Sequence, residues 1–158
     1  MRREFGKTII ELTQRDEKII LITGDVEHNM DEFKRLFNKR FFDVGLCEQS
    51  MISLAAGMAL EGFKPYVYSI TPFILERPFE QVKLDIDQQN LNVKLIGYSD
   101  YPTAGPTHTE LDGRGLSALF KNIQSYFPLT SEDTRKDLWE SYWHKKPTFI
   151  SLKRDKAL

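Results

Sequence analysis

Glu48 is the first residue whose placement suggests chemistry. It lies four positions past Val44, where a short apolar run ends; Gly45 allows a sharp turn, and an apolar helical pattern begins directly after it. A carboxylate at a helix start complements the peptide dipole, a contribution of ~0.3–1 kcal/mol when exposed and more when partly buried. Spacing alone favours that role over a functional one. His108 follows the turn Gly105-Pro106 in a polar loop, and an imidazole there exchanges protons near neutrality. His28 stands beside Asp25 at another expected strand end, and His144 on a charged late helix reads as solvated surface. A thiol nucleophile would pair Cys47 with His108 or His28, but the adjacent Glu48 disfavours a thiolate. The three histidines, one cysteine and scattered acids show no metal-ligand spacing, and neither GxGxxG nor a P-loop is present.

The elements that position these residues follow from hydrophobic periodicity. A helix is expected over 2–15, with Phe5, Ile9, Ile10 and Leu12 at helical spacing, and a buried strand over 18–23. A helix over 31–39, a strand over 41–44 and a helix over 48–62 come next, with Gly62 as the cap. Strand 65–70 leads to Pro72, suited to a first helical position, and to a helix running to about Gln89. Strands over 93–98, 123–127 and 148–153 and helices over 115–120 and 131–145 complete the pattern. Near-continuous apolar strands between helices imply an α/β fold: a doubly wound, mostly parallel six-stranded sheet with helices on both faces, in one domain over 1–158. Ligands of such sheets gather beyond the carboxyl ends of the strands, where 24–29, 45–48 and 99–108 would lie. The helix from Met51 to Leu60 is apolar nearly all round, so it is expected to be buried on every side, in a core or against a partner.

Composition sets the class. The chain has 158 residues, 41% of them hydrophobic and 28% charged, with a net charge of −1, which gives no electrostatic case for nucleic acid or an anionic membrane. No apolar run reaches the ~18 residues of a membrane span, and the amino terminus lacks a signal-peptide pattern. A single cysteine fits a reducing cytoplasm.

Seven segments stand in a telling order: Thr23-Gly24-Asp25-Val26, Val44-Gly45-Leu46-Cys47-Glu48-Gln49-Ser50-Met51, Ala55-Ala56-Gly57-Met58-Ala59, Gly62-Phe63-Lys64-Pro65, Phe79-Glu80-Gln81-Val82, Gly105-Pro106-Thr107-His108 and Leu152-Lys153-Arg154. Together they resemble the pyrimidine-binding domain of transketolases and 1-deoxyxylulose-5-phosphate synthases, and the β-subunits of 2-oxo acid dehydrogenase decarboxylases look similar. The resemblance implies that Glu48 hydrogen-bonds the pyrimidine nitrogen of thiamine diphosphate and favours its imino form. It implies that His108 handles protons on the substrate, that Arg154 helps bind a substrate phosphate, and that Asp25 and His28 lie toward the substrate entrance. Counting back from Phe79, the family's stacking aromatic falls at Ile74, with Phe73 beside it, so one of the two is expected to pack on the aminopyrimidine; Arg77 matches an arginine of the deoxyxylulose-phosphate synthases and is expected to contact the cofactor or substrate.

Departures qualify the substrate. Ala104 stands where transketolases carry an acid, Tyr98 or Ser99 where they carry a histidine, and the loop is shorter. These changes argue against ordinary pentose-phosphate substrates and leave a phosphorylated or activated sugar or a 2-oxo acid. The family's GDG…N motif for magnesium and diphosphate is not matched, since the only GD is Gly24-Asp25-Val26. The expectation is therefore a split transketolase-like transferase. A separate diphosphate-domain subunit would hold most of the magnesium contacts, and the assembly would use homodimer contacts or form a heterotetramer. The alternative is a non-catalytic assembly or regulatory module that keeps the fold.

Overall fold

The computed structural model describes residues 1–98 and 104–153. Six strands form one sheet: β1 (Ile19–Thr23), β2 (Phe41–Asp43), β3 (Lys64–Ile70), β4 (Lys94–Tyr98), β5 (Gln124–Tyr126) and β6 (Thr148–Leu152). Their order is β2-β1-β3-β4-β6-β5, and every pairing is parallel. All five residues of β1, β4 and β6 are buried, which explains why these strands read as largely apolar rather than alternating, with Lys94, Thr148 and Ser151 among the buried polar exceptions.

Alternation along each strand divides the core in two. Ile19 and Leu21 face one side with Phe5, Ile9 and Leu12 of α1 (Arg2–Arg15), Phe33 of α2 (Asp31–Leu36) and Leu138 of α6 (Ser131–Trp143). Ile20 and Ile22 face the other with Met51, Ile52, Ala55 and Ala56 of α3 (Glu48–Leu60) and with Ile74, Leu75, Val82 and Ile86, and Leu116 of α5 (Gly113–Ala118) packs against them. The expected doubly wound α/β sheet is therefore present. Among the described residues, no helix is long and apolar enough to cross a membrane.

Two expectations change. The helix expected over 31–39 stops at Leu36; Phe37 leaves helical geometry, and a 3₁₀ turn covers Asn38–Arg40. The helix expected from Pro72 to Gln89 is not continuous: π-helical turns at Pro72–Glu76 and Val82–Asp87 flank the short α4 (Phe79–Gln81). Pro78 explains the first of these. It has no amide hydrogen and its ring excludes the carbonyl four residues back, so the turn before it widens and Arg77 N donates to Pro72 O at 3.0 Å. α3 buries Met51, Ile52, Ala55 and Ala56 in the chain's own core, whereas Leu54 is 38% and Leu60 64% exposed.

Two buried ionisable side chains tie the far elements down. Asp87 Oδ1 accepts from the amides of Asn122 and Ile123 at 2.7 and 3.1 Å, and its Oδ2 accepts from Lys121 N at 3.1 Å. Lys94 Nζ donates to His144 O and Lys146 O at 2.6 and 2.8 Å, anchoring the end of α6 to β4. At the other end of α6 a capping box joins Thr130 and Asp133.

Candidate active site

The chain runs β1 to β2 on one side and returns to β3 on the other, so the crevice between the carboxyl ends of β1 and β3 is the topological switch point. Two loops there are locked together. Asp43 Oδ1 accepts from Asp25 N at 3.0 Å and from Gly45 N at 2.9 Å. Gly45 has φ +73°, and a Cβ on Gly24 would meet Gly45 O at 2.7 Å, so this crossing of loops needs glycine at both positions. Burial, the largest single influence, opposes ionisation of Asp43, yet the amide hydrogen bonds from Asp25 and Gly45 together with Glu27 and the charge of Lys34 hold the carboxyl below its usual range. Cys47 occupies the N-cap position of α3 without a side-chain cap, its thiol donating back to Val44 O at 2.9 Å.

This frame delivers Glu48 to the first turn of α3 with only 4% of its surface exposed. A buried carboxylate needs a partner. Arg77, at the end of the first π turn, supplies it: Nη1 donates to Glu48 Oε1 at 2.7 Å. The guanidinium carbon lies 3.4 Å from the centroid of the Phe73 ring, and the ring of His108 meets Phe73 edge-on at 5.0 Å. Gln49 Nε2 donates to Arg77 O at 3.3 Å, fastening the two elements from a second point.

His108 is carried by the 3₁₀ turn Pro106–His108, opened by Gly105 at φ +99° and closed by His108 N donating to Gly105 O at 3.0 Å. Its Nδ1 shares a hydrogen bond with Thr107 Oγ1 at 3.0 Å, whose direction the ring tautomer sets. Glu76 Oε1 accepts from Leu111 N at 2.9 Å, tying the loop that bears His108 to the turn that bears Phe73.

Glu48, Arg77, Phe73 and His108 thus form one connected group. Ile74 does not join it; it is fully buried in the opposite core with Ile20 and Ile22, so of the two neighbours Phe73 offers the ring. Asp25 and His28 line a different, acidic hollow of about 450 Å³ with Glu27, Asn29, Asp31 and Asp43. Arg154 and residues 99–103 of the loop lie outside the described residues. Residue types and spacing did not single out Asp43, Glu76 or Gln49. Asp43 carried a usable signal, an aspartate at a strand end two residues before glycine, where its side chain reaches the following amides. Glu76 and Gln49 carried none, because their partners are distant in sequence.

Chemically, the group offers a buried carboxylate facing a planar nitrogen donor that lies on an aromatic ring, with an imidazole at the ring's edge. An aminopyrimidine makes the same demands: a flat face to stack and a ring nitrogen to be met by a carboxyl group. The residues fit that heterocycle.

Comparison with known proteins gives concordant results. A family model described as "Transketolase, pyrimidine binding domain" matches residues 1–157. The chain is 33% identical to the 1-deoxy-D-xylulose-5-phosphate synthase of Aquifex aeolicus over 97% of this chain and 25% of that protein. It is 28% identical to an apulose-4-phosphate transketolase subunit of Phocaeicola vulgatus over 97% of this chain and 51% of that one. A solved structure described as "Split gene transketolase, inactive beta4 tetramer" superposes with a TM-score of 0.89 at 27% identity, covering 99% of this chain and 52% of its own. The chain therefore spans between a quarter and about half of the length of these three relatives.

Proposed function

Because the chain belongs to the transketolase pyrimidine-binding domain family, we propose that residues 1–158 act as the pyrimidine-domain subunit of a thiamine-diphosphate-dependent, transketolase-like transferase. The observation that carries this reading is the burial of Glu48 opposite a planar nitrogen donor on Phe73. When bound, the cofactor supplies a thiazolium carbon that adds to a ketose or 2-oxo acid carbonyl and carries a two-carbon unit. Glu48 holds a proton at the pyrimidine ring nitrogen, and its fixed position at the start of α3 makes that proton available without reorganisation. Phe73 gives the ring a surface to lie on. His108, half-buried on its 3₁₀ turn, moves a proton at a substrate hydroxyl or carbonyl oxygen. Asp25, His28 and Arg154 are assigned to the substrate side, a phosphorylated or activated sugar or 2-oxo acid.

A second polypeptide that holds the diphosphate and magnesium completes the site in this proposal, in a cytoplasmic assembly. Two observations support it. Glu48's own helix presents Leu54 and Leu60 to the outside, with Leu46 68% exposed in the turn before it. The relative matched over half its length is named as one subunit of a transketolase, and the superposed structure as a split gene product. The test is Glu48→Gln in the chain reconstituted with a diphosphate-domain subunit. The amide keeps the shape and cannot hold the proton, so turnover falls roughly 10²–10⁴-fold, the range of general acid–base catalysis. Turnover equal to the unaltered chain overturns the proposal, and so does an unaltered reconstituted pair with no turnover, which would leave an assembly module.

A further inference from the structure

Arg77 lies in the place that the proposed function reserves for the heterocycle. Its guanidinium is planar and cationic, donates to Glu48 Oε1 at 2.7 Å and lies 3.4 Å from the centroid of Phe73. Those are the two contacts assigned above to an aminopyrimidine, a hydrogen bond to the carboxylate and a stack on the ring. One carboxylate and one ring face cannot serve both groups at once.

We propose that Arg77 competes with the cofactor's aminopyrimidine for Glu48 and for the face of Phe73, so that cofactor entry requires the Arg77 side chain to swing out. The inference rests on the proposed function and adds a gate to it. Three features make Arg77 suited to the part. Its side chain is 34% exposed whereas that of Glu48 is 5% exposed, so one partner can move into solvent and the other cannot. Its backbone is held, by Arg77 N to Pro72 O at 3.0 Å and by Gln49 Nε2 to Arg77 O at 3.3 Å, so the movement is confined to the side chain. A guanidinium is weakly hydrated, flat and rich in N–H donors, the closest side-chain match to a protonated aminopyrimidine. The exchange also keeps Glu48 partnered, since the entering ring nitrogen, sharing one proton with the carboxyl group, replaces the departing Nη1. Among the described residues Arg77 is the charged partner of Glu48, so the carboxylate would otherwise be buried alone.

Occupancy by Arg77 lowers apparent affinity in proportion to the fraction of molecules with the berth open. The probe is 4-amino-5-hydroxymethyl-2-methylpyrimidine, titrated calorimetrically into the full chain, with circular dichroism to confirm folding. Arg77→Ala is expected to bind the probe about tenfold more tightly than the unaltered chain. Arg77→Lys, which keeps the charge and loses the flat fork, should fall between and carries the test if Arg77→Ala does not fold. In ¹⁵N–¹H spectra the Arg77 guanidinium resonances, shifted by the Phe73 ring, should return toward free-arginine positions as probe is added. Equal or weaker binding by both variants overturns the gate, as does absence of binding to any form, or Arg77 resonances unmoved at probe saturation. None of these results depends on turnover, so a failed gate is distinguishable from a failed cofactor role, which Glu48→Gln decides separately.

Discussion

Lys94 allows a quantitative test of how the sheet is anchored. Its side chain is 1% exposed, and Nζ donates to two carbonyls at the end of α6. Burial first, and the charge of Lys64 second, push the ammonium down to about 7. A lysine in the unfolded chain titrates near ~10.4. Between those two values the unfolded chain binds more protons than the folded one, so stability rises with pH from about 7 toward 10. For one group with these limits, moving from pH 7 to pH 9 stabilises the fold by on the order of 2 kcal/mol, or roughly 4–8 °C in Tm at this chain length. Lys94→Met removes the titration and keeps most of the aliphatic stem. At pH 9 the variant should be less stable by about 1–3 kcal/mol, because the partly buried carbonyls of His144 and Lys146 lose their donor. Toward pH 6 the gap should narrow or reverse, since the unaltered chain then carries a desolvated charge. Urea unfolding of both proteins from pH 6 to 9.5 isolates the effect, because other titrating groups cancel in the difference. Parallel stability curves across that range would refute the reasoning.

Two further substitutions probe the frame. Asp87→Ala strands three backbone amides of 121–123 and should lower unfolding free energy by about 3 kcal/mol in urea titration; a loss below about 1 kcal/mol would show that those amides find other partners. Gly24→Ala forces a Cβ to within 2.7 Å of Gly45 O. It should lower Tm by several degrees, about 1–3 kcal/mol of overpacking, and a Tm within about 1 °C of the unaltered chain would refute the close crossing of the two loops.

Much of this protein was legible in its sequence because short-range physics wrote it there. Strands buried on both faces are mostly apolar, so Ile19–Thr23 and Thr148–Leu152 announced themselves and implied a parallel sheet between helix layers. Glu48 could be placed at a helix start because turn and periodicity are local patterns, and the ordered motifs carry the family resemblance by themselves. The rest depended on contacts between distant residues. Pro78 recast an expected regular helix as a widened π turn, and that turn sends Phe73 to one core and Ile74 to the other. Periodicity sets the facing of residues in ideal helices only, so the choice between the two could not be read in advance. The pairing of Glu48 with Arg77, the Phe73 ring beneath it and His108 at the edge joins segments up to 60 positions apart, counting from 48 to 108. A one-dimensional pattern records which groups exist; only the closing of β1, β2 and β3 into one sheet decided which of them meet.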